Sequence, residues 1–321
     1  MLGLTRMKAC GIKLMVISVA MVLGYSSLSG AEPIEVAASI IPLGDFCQRL
    51  GGERVAVEVL IPPGASPHVY EPPPSKVAQA MRARLLVYVG AGLDPWAERV
   101  VKTRGSQQVK VVEAVKGLPL IREVEGHEHG HHPGKAGAAE SHGGEEGHNH
   151  HEGGNPHVWL DPVWAQDICQ RIAQALMELD PAHRQVYKAN LAAYLRELEE
   201  LHQEISGKVK TFRVREYVCF HPAFSYFARR YGLREAGVIE VSPGREPTPR
   251  HIQKIVEFLR GQRVKVVLAE PQLSTRVAEA VAREAGARVL KLDPLGGRPP
   301  YGTDYLALMR YNLGVLSEVM Q

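Results

Sequence analysis

Eight histidines (His127, His129, His131, His132, His142, His148, His150 and His151) fall within 25 residues, interleaved with glycine and glutamate. Imidazole titrates near neutrality and is a preferred ligand for zinc and its neighbours. A tract this rich in Gly, Glu and His cannot bury a core, so a flexible, solvated loop is predicted over residues 126–154. Its exposed imidazoles form a weak, auxiliary metal sponge. A solubilising insert or an expression tag is the competing reading. A tag is terminal and uninterrupted, whereas this tract is internal and broken by acids, so metal capture is the favoured reading.

Four further polar groups stand just past predicted strands. His68 lies in Pro62-Pro63-Gly64-Ala65-Ser66-Pro67-His68-Val69-Tyr70, and His157 in Asn155-Pro156-His157-Val158-Trp159-Leu160-Asp161-Pro162. His221 ends the run Val218-Cys219-Phe220, and Asp293 ends Val289-Leu290-Lys291-Leu292. Three imidazoles and a carboxylate suit zinc better than calcium or magnesium, which prefer all-oxygen shells. Taken singly, each residue has a plainer reading. A histidine in a proline-rich loop is usually a surface group, and an aspartate before proline is usually a turn or a cap. Their spread from residue 68 to residue 293 is no metal-binding spacing on its own.

The elements that must position these groups alternate. Residues 1–31 read as an export signal: Arg6, Lys8 and Lys13, then an apolar run from Leu14 to Leu23, then Ser29-Gly30-Ala31. The run falls short of the roughly 20 residues of a membrane span, an uncleaved N-terminal anchor being the alternative, and Cys10 precedes it and so is not placed to carry a lipid. The mature chain is thus expected to be periplasmic or otherwise extracytoplasmic. Net charge is +3, with no basic cluster of the kind that binds nucleic acid. Cys47, Cys169 and Cys219 sit among apolar neighbours without a CxxC and read as buried thiols, with one disulfide open as an alternative.

Strands are predicted at residues 34–39, 55–60, 85–89, 216–220, 264–269 and 288–292, with helices between them, the pattern of βαβ units and parallel sheets. Ser75 is the expected cap of a helix from Lys76, Asp161-Pro162 and Thr248-Pro249 open two more, and Ser274 a fourth. Leu191, Leu195, Leu198, Leu201 and Ile205 recur at three and four residues in a stretch free of Gly and Pro from Ala182 to Ser206. The predicted fold class is therefore α/β: a first lobe over 32–178, a linking spine helix within 179–211 and a second lobe over 212–321, with the site in the cleft between lobes. Ligands in such sheets sit beyond the carboxyl ends of strands.

In order along the chain, Pro67-His68-Val69-Tyr70-Glu71-Pro72-Pro73-Pro74-Ser75, Gly92-Leu93-Asp94-Pro95-Trp96, Pro156-His157-Val158-Trp159-Leu160-Asp161-Pro162, His221-Pro222-Ala223-Phe224-Ser225-Tyr226-Phe227-Ala228, Ala269-Glu270-Pro271-Gln272-Leu273-Ser274 and Leu292-Asp293-Pro294-Leu295-Gly296 resemble the signatures of the metal-specific substrate-binding proteins of bacterial ABC importers. The resemblance covers essentially the whole mature chain. It implies one metal held between two α/β lobes by His68, His157, His221 and Asp293, and delivery to a membrane permease with its cytoplasmic ATPase by a monomer. Members divide between zinc and manganese. A histidine at the third position, here His221, and a histidine-rich insertion before the second ligand are similar to the zinc-uptake branch, so Zn2+ is expected ahead of Mn2+. Pro222 departs from the family pattern, and Glu270 is a candidate to support the ligands or a structural acid.

Two other classes compete. A zinc hydrolase needs an open coordination position and a general base. The chain has no HExxH, and Glu270 could act as base only if Asp293 were not a ligand. A metal buffer or adhesin without a transporter is the third. An importer component that catalyses no reaction is the expectation.

Overall fold

The computed structural model describes residues 32–104, 109–122, 154–240 and 247–321. Residues 1–31, predicted to be an export signal, and most of the histidine-rich tract, with all eight of its auxiliary histidines, lie outside the described residues.

The first lobe runs β1 (Ile34–Ala38), α1 (Ile41–Gly51), β2 (Val55–Val59), α2 (Pro74–Arg82), β3 (Leu85–Tyr88), α3 (Pro95–Arg104), β4 (Lys110–Glu113) and α4 (Pro162–Leu179). After α5 (Arg184–Lys210), the second lobe runs β5 (Glu216–Cys219), α6 (Ser225–Tyr231), β6 (Arg234–Val238), α7 (Pro249–Gln262), β7 (Val266–Ala269), α8 (Arg276–Ala285), β8 (Arg288–Lys291) and α9 (Tyr305–Met320). The two sheets are wholly parallel, in the orders β2-β1-β3-β4 and β6-β5-β7-β8. Both orders place the second strand first, so the lobes repeat one topology. Each reverses direction between its first and third strands, which opens a crevice at the carboxyl ends of β1 and β3, and of β5 and β7.

Strand burial follows from helices covering both faces of a parallel sheet. In β5 and the residue after it, Tyr217 and Cys219 join one core while Val218 and Phe220 join a second against α7 and α8. The first core passes from Phe46 and Leu50 of α1 and Ile172 of α4, through Leu198 and Leu201 of α5, to Phe227 of α6 and Leu313 of α9 without a break. Cys47, Cys169 and Cys219 are free and buried.

Helix α5 is 27 residues long, about 40 Å at 1.5 Å per residue, and packs on α1 and α4 as well as on α6 and α9. Its buried stripe is Tyr187, Tyr194, Leu198, Leu201, Ile205 and Val209; Leu191 and Leu195, expected in it, are only partly buried. The tyrosines take those places because their hydroxyls reach Asp180 at 2.8 Å and Asp45 at 3.3 Å, which satisfies the polar tip of an otherwise apolar side chain.

Two helix starts differ from expectation. Helix α2 begins at Pro74 with Pro73 as its cap residue, and Ser75 lies inside the first turn. Proline presets the helical φ and gives up an N–H that the first turn leaves unbonded anyway. Helix α8 is entered through Thr275 rather than Ser274. Asp161 and Thr248 do cap α4 and α7, accepting from the Val163 and His251 amides. Strands β4 and β6 and helices α3 and α9 were not among the expected elements; Arg-Glu-Ala-Gly-Val of β6 has no alternation, and α9 is apolar around most of its girth.

Candidate metal centre

Nitrogens of His68, His157 and His221 gather within 4.8 Å of one another. His68 Nε2 and His157 Nε2 stand 3.2 Å apart. Two ligands of a tetrahedral zinc at 2.0–2.1 Å are separated by about 3.3 Å, so this pair already spans one edge of such a site. The widest pair would close by at most about 1.5 Å to complete the triangle.

Loops deliver the histidines: His68 from the loop between β2 and α2, His157 from the cap of the 3-10 turn Val158–Leu160 ahead of α4, and His221 from the end of β5. His221 lies two residues past β5 and Glu270 one past β7, at the second lobe's topological switch. That neighbourhood brings Glu270 Oε1 to 3.0 Å from His221 Nδ1. A carboxylate can only accept, so Nδ1 carries the proton and Nε2 keeps its lone pair for a metal. His157 is fixed in the same sense. Asn155 Oδ1 accepts from the His157 backbone N–H at 3.0 Å, which identifies it as the oxygen, and it lies 2.9 Å from His157 Nδ1. His157 Nδ1 is therefore the donor, and its Nε2 faces His68 Nε2 as an acceptor. The amide end of Asn155 donates to Pro222 O at 2.7 Å, tying the second ligand's loop to the third's across the lobes. Pro222 thus supports the site through its carbonyl, which any residue could offer.

Asp293 does not join the three imidazoles. Its Oδ1 accepts from Gln272 Nε2 at 2.7 Å, Leu295 N at 2.9 Å and Gly296 N at 3.1 Å. Its Oδ2 accepts from Tyr301 Oη at 2.6 Å. Asn312, wholly buried on α9, donates to Asp293 O at 2.7 Å and accepts from Asp293 N at 2.9 Å. Four donors on one carboxylate hold it in the turn that follows β8, so three of the four expected ligands converge and the fourth is engaged elsewhere.

The cavity beside the histidines has a volume of about 10 Å³ and is lined by His68, His157, Trp159, Glu270, Gln272 and Leu295, among others. That is room for about one water-sized sphere. Cross-lobe bonds close it in: Trp159 Nε1 donates to Pro294 O at 2.8 Å, Tyr305 Oη to Trp159 O at 2.7 Å, and Arg230 pairs with Asp161 at 2.8 Å.

The crevice of the first lobe is filled instead. Asp94 accepts from the Val89 and Gly90 amides at 2.7 and 2.9 Å, at the carboxyl end of β3. Burial pushes its carboxyl up to about 6 against the opposing pull of these bonds and of Ser39.

Asn155, Gln272, Tyr301 and Asn312 were not singled out from the sequence. Only Asn155 carried a signal there, an amide two residues ahead of a histidine and just before proline.

A family model described as the periplasmic component A of the zinc-uptake complex matches residues 36–319. The high-affinity zinc uptake system protein ZnuA of Bacillus subtilis is 29% identical over 305 residues, 92% of each chain. The zinc-binding protein AdcA of Streptococcus pyogenes is 29% identical over 88% of this chain, which spans 55% of that longer protein. A crystal structure of ZnuA superposes with a TM-score of 0.74 at 30% identity, covering 90% of this chain and all of that one. With a match over nearly the full length of the two lobes, and the three convergent imidazoles inside it, the chain belongs to the family of periplasmic zinc-uptake complex A components.

Proposed function

We propose that this protein is the extracytoplasmic zinc-binding component of an ABC importer, which captures Zn2+ on His68, His157 and His221 and hands it to a membrane permease driven by a cytoplasmic ATPase. The observation that carries the reading is the set of three imidazoles drawn within 4.8 Å, two of them oriented through Nδ1 by Glu270 and Asn155. Zinc favours nitrogen donors in a four-coordinate shell, whereas manganese favours harder oxygen in larger shells. Asp293, with four donors on its carboxylate, serves in this reading to anchor the turn after β8 rather than to bind the ion directly.

A hydrolase would need space for an ester or peptide beside the ion. A cavity of about 10 Å³ offers room for a single small group, which favours sequestration over turnover. No helix among the described residues is long and apolar enough to cross a membrane. Export rests on residues 1–31, and the histidine-rich tract supplies the auxiliary zinc sponge in this reading.

The test is metal analysis of protein purified without added metal, followed by competitive titration with Zn2+ and Mn2+. One tightly held zinc per chain, preferred over manganese, is expected; a manganese preference, or no tight site, overturns the reading.

A further inference from the structure

In the second lobe, helices end where the next strands begin. Helices α6 and α8 close on Gly232 and Gly286 in the left-handed conformation, which glycine adopts without a steric penalty. Helix α7 closes on Arg263 instead, at φ 57. A side chain is strained there, and Arg263 is exposed, so no burial offsets the strain. The neighbouring turns carry cations as well. Lys265 precedes β7 and Arg288 opens β8, both exposed, and the Arg288 amide bonds Lys265 O at 2.8 Å. Arg215 precedes β5 and Arg234 opens β6, with the Arg234 amide on Arg215 O at 2.7 Å. Because all four strands run the same way in the order β6-β5-β7-β8, these residues stand at one end of the sheet, about 4.8 Å apart per strand. They come from separate turns, so the chain itself shows no basic run.

Part of this charge has a local partner. Arg215 donates to Val209 O, Lys210 O and Gly232 O, and Arg260 donates to Glu284 O at 2.6 Å, which satisfies carbonyls at helix ends. Arg234 pairs with Glu216 at 2.5 Å. At the same end of the first sheet, Lys110 pairs with Glu178. Arg263, Lys265 and Arg288 form no salt bridge among the described residues.

We infer that the amino end of the second sheet is a docking surface for a phosphate-bearing polymer of the cell envelope, held by Arg263, Lys265 and Arg288. A guanidinium forks onto two phosphate oxygens and an ammonium binds as a point charge, so the trio suits an anionic backbone whatever its side groups. A lipid surface fits less well, because peripheral segments enter bilayers by burying apolar side chains beside their cations. The large exposed apolar residues among the described ones are Val69, Val186 and Tyr311, in the loop after β2, on α5 and on α9. The surface lies at the opposite end of the strands from His221 and Glu270, so a docked polymer leaves the metal cavity uncovered. A dense polyanion gathers an atmosphere of cations, and a protein resting on one keeps its site where Zn2+ is concentrated.

The test uses metal-free full-length protein with a chelator at about pH 8, where exposed imidazoles are neutral. Binding is measured to linear inorganic polyphosphate and to vesicles of phosphatidylglycerol and phosphatidylcholine. Arg263→Gln/Lys265→Gln/Arg288→Gln is compared with Lys102→Gln/Lys116→Gln/Lys188→Gln, which removes the same charge from exposed positions on the first lobe and α5. Wild type is expected to bind the polymer with an affinity that falls as salt rises. The first variant should lose at least about tenfold, with a log-log salt slope shallower by about 2, while the second stays within about twofold of wild type. Zinc affinity should be unchanged in both. Arg263→Gly should melt no lower than wild type yet hold the polymer more weakly, a combination that a purely structural role for Arg263 would not produce. Equal loss in both triple variants would make net charge the cause. Wild-type affinity in the first variant would place the polymer elsewhere, and tighter binding to vesicles than to polyphosphate would make the partner a membrane. Each of these overturns the inference and leaves the three-histidine site untouched.

Discussion

Replacing Asn155 by alanine separates the geometry of the site from the stability of the fold. Asn155 is 1% exposed and accepts from both the backbone and the ring N–H of His157. Its removal strands those two buried donors at about 1–3 kcal/mol each, so the metal-free protein is expected to lose about 2–6 kcal/mol. Pro222 O keeps the Ser225 hydroxyl at 2.9 Å and is not orphaned. The His157 ring is then free to change tautomer and orientation, which typically lowers metal affinity by about 10–100-fold. Mass action converts this into a melting assay. At a free zinc of about 100 times the wild-type Kd, binding adds about 2.7 kcal/mol; a 30-fold weaker variant gains only about 0.9 kcal/mol at the same zinc. Asn155→Asp restores the acceptor for His157 but sets a carboxylate oxygen against Pro222 O. Its zinc affinity should return to at least the wild-type value while the metal-free protein stays destabilised. Chelator competition and thermal melts with and without zinc read both quantities. A folded Asn155→Ala protein with wild-type affinity would refute the idea that this amide sets the state of His157.

His221→Ala should abolish most of the zinc-induced rise in melting temperature, and His221→Glu should lower the zinc-to-manganese affinity ratio by exchanging nitrogen for hard oxygen; an unchanged ratio in competitive titration counts against the ligand assignment. Deleting residues 123–153 should leave one tight zinc and a normal melt, because Asn155 N bonds Ile121 O at 2.8 Å and Tyr226 Oη bridges Ile121 N and Asn155 O at 3.0 and 2.8 Å, so the base of the insert is already closed. Loss of the tight site in that well-folded protein would mean that the tract supplies a ligand. Asp94 is protonated in the fold at a higher pH than in the unfolded chain, so below about pH 6 and down to about pH 4 it adds stability as pH falls, up to about 3 kcal/mol. The difference in stability between metal-free wild type and Asp94→Asn should therefore shift with pH over that window, and a flat difference would contradict it.

The strands and the spine helix were legible because apolar runs and three-to-four spacing report burial directly. Their ends were less so. Ser75 looked like a cap, yet successive prolines start α2 earlier because their fixed φ is already helical. The three histidines could be picked out through family motifs, since residues from 68 to 221 converge only once two sheets are stacked. Asp293 marks the reach of such a motif: the sequence shows a carboxylate past a strand, but not the four donors that it accepts from. Those donors come from Gln272, Leu295, Gly296 and Tyr301, two of them backbone amides invisible to residue type. Glu270 and Asn155 do their work through one hydrogen bond each to a ring nitrogen, and no spacing announces that.

The apolar core that runs unbroken from α1 through α5 to α9 has a consequence for how the lobes can be handled experimentally. A chain cut near residue 211 would leave Leu198, Leu201 and Ile205 facing water on one fragment and Phe227 and Leu313 on the other, at roughly 25 cal/mol for each Å² newly wetted. Neither half should be soluble alone, and heat should melt both in one calorimetric transition rather than two. Such a body acts on its cargo as a clasp and not as a jaw. Release is then expected from movement of the segments after β2 and β5 that carry His68 and His221, without the halves parting.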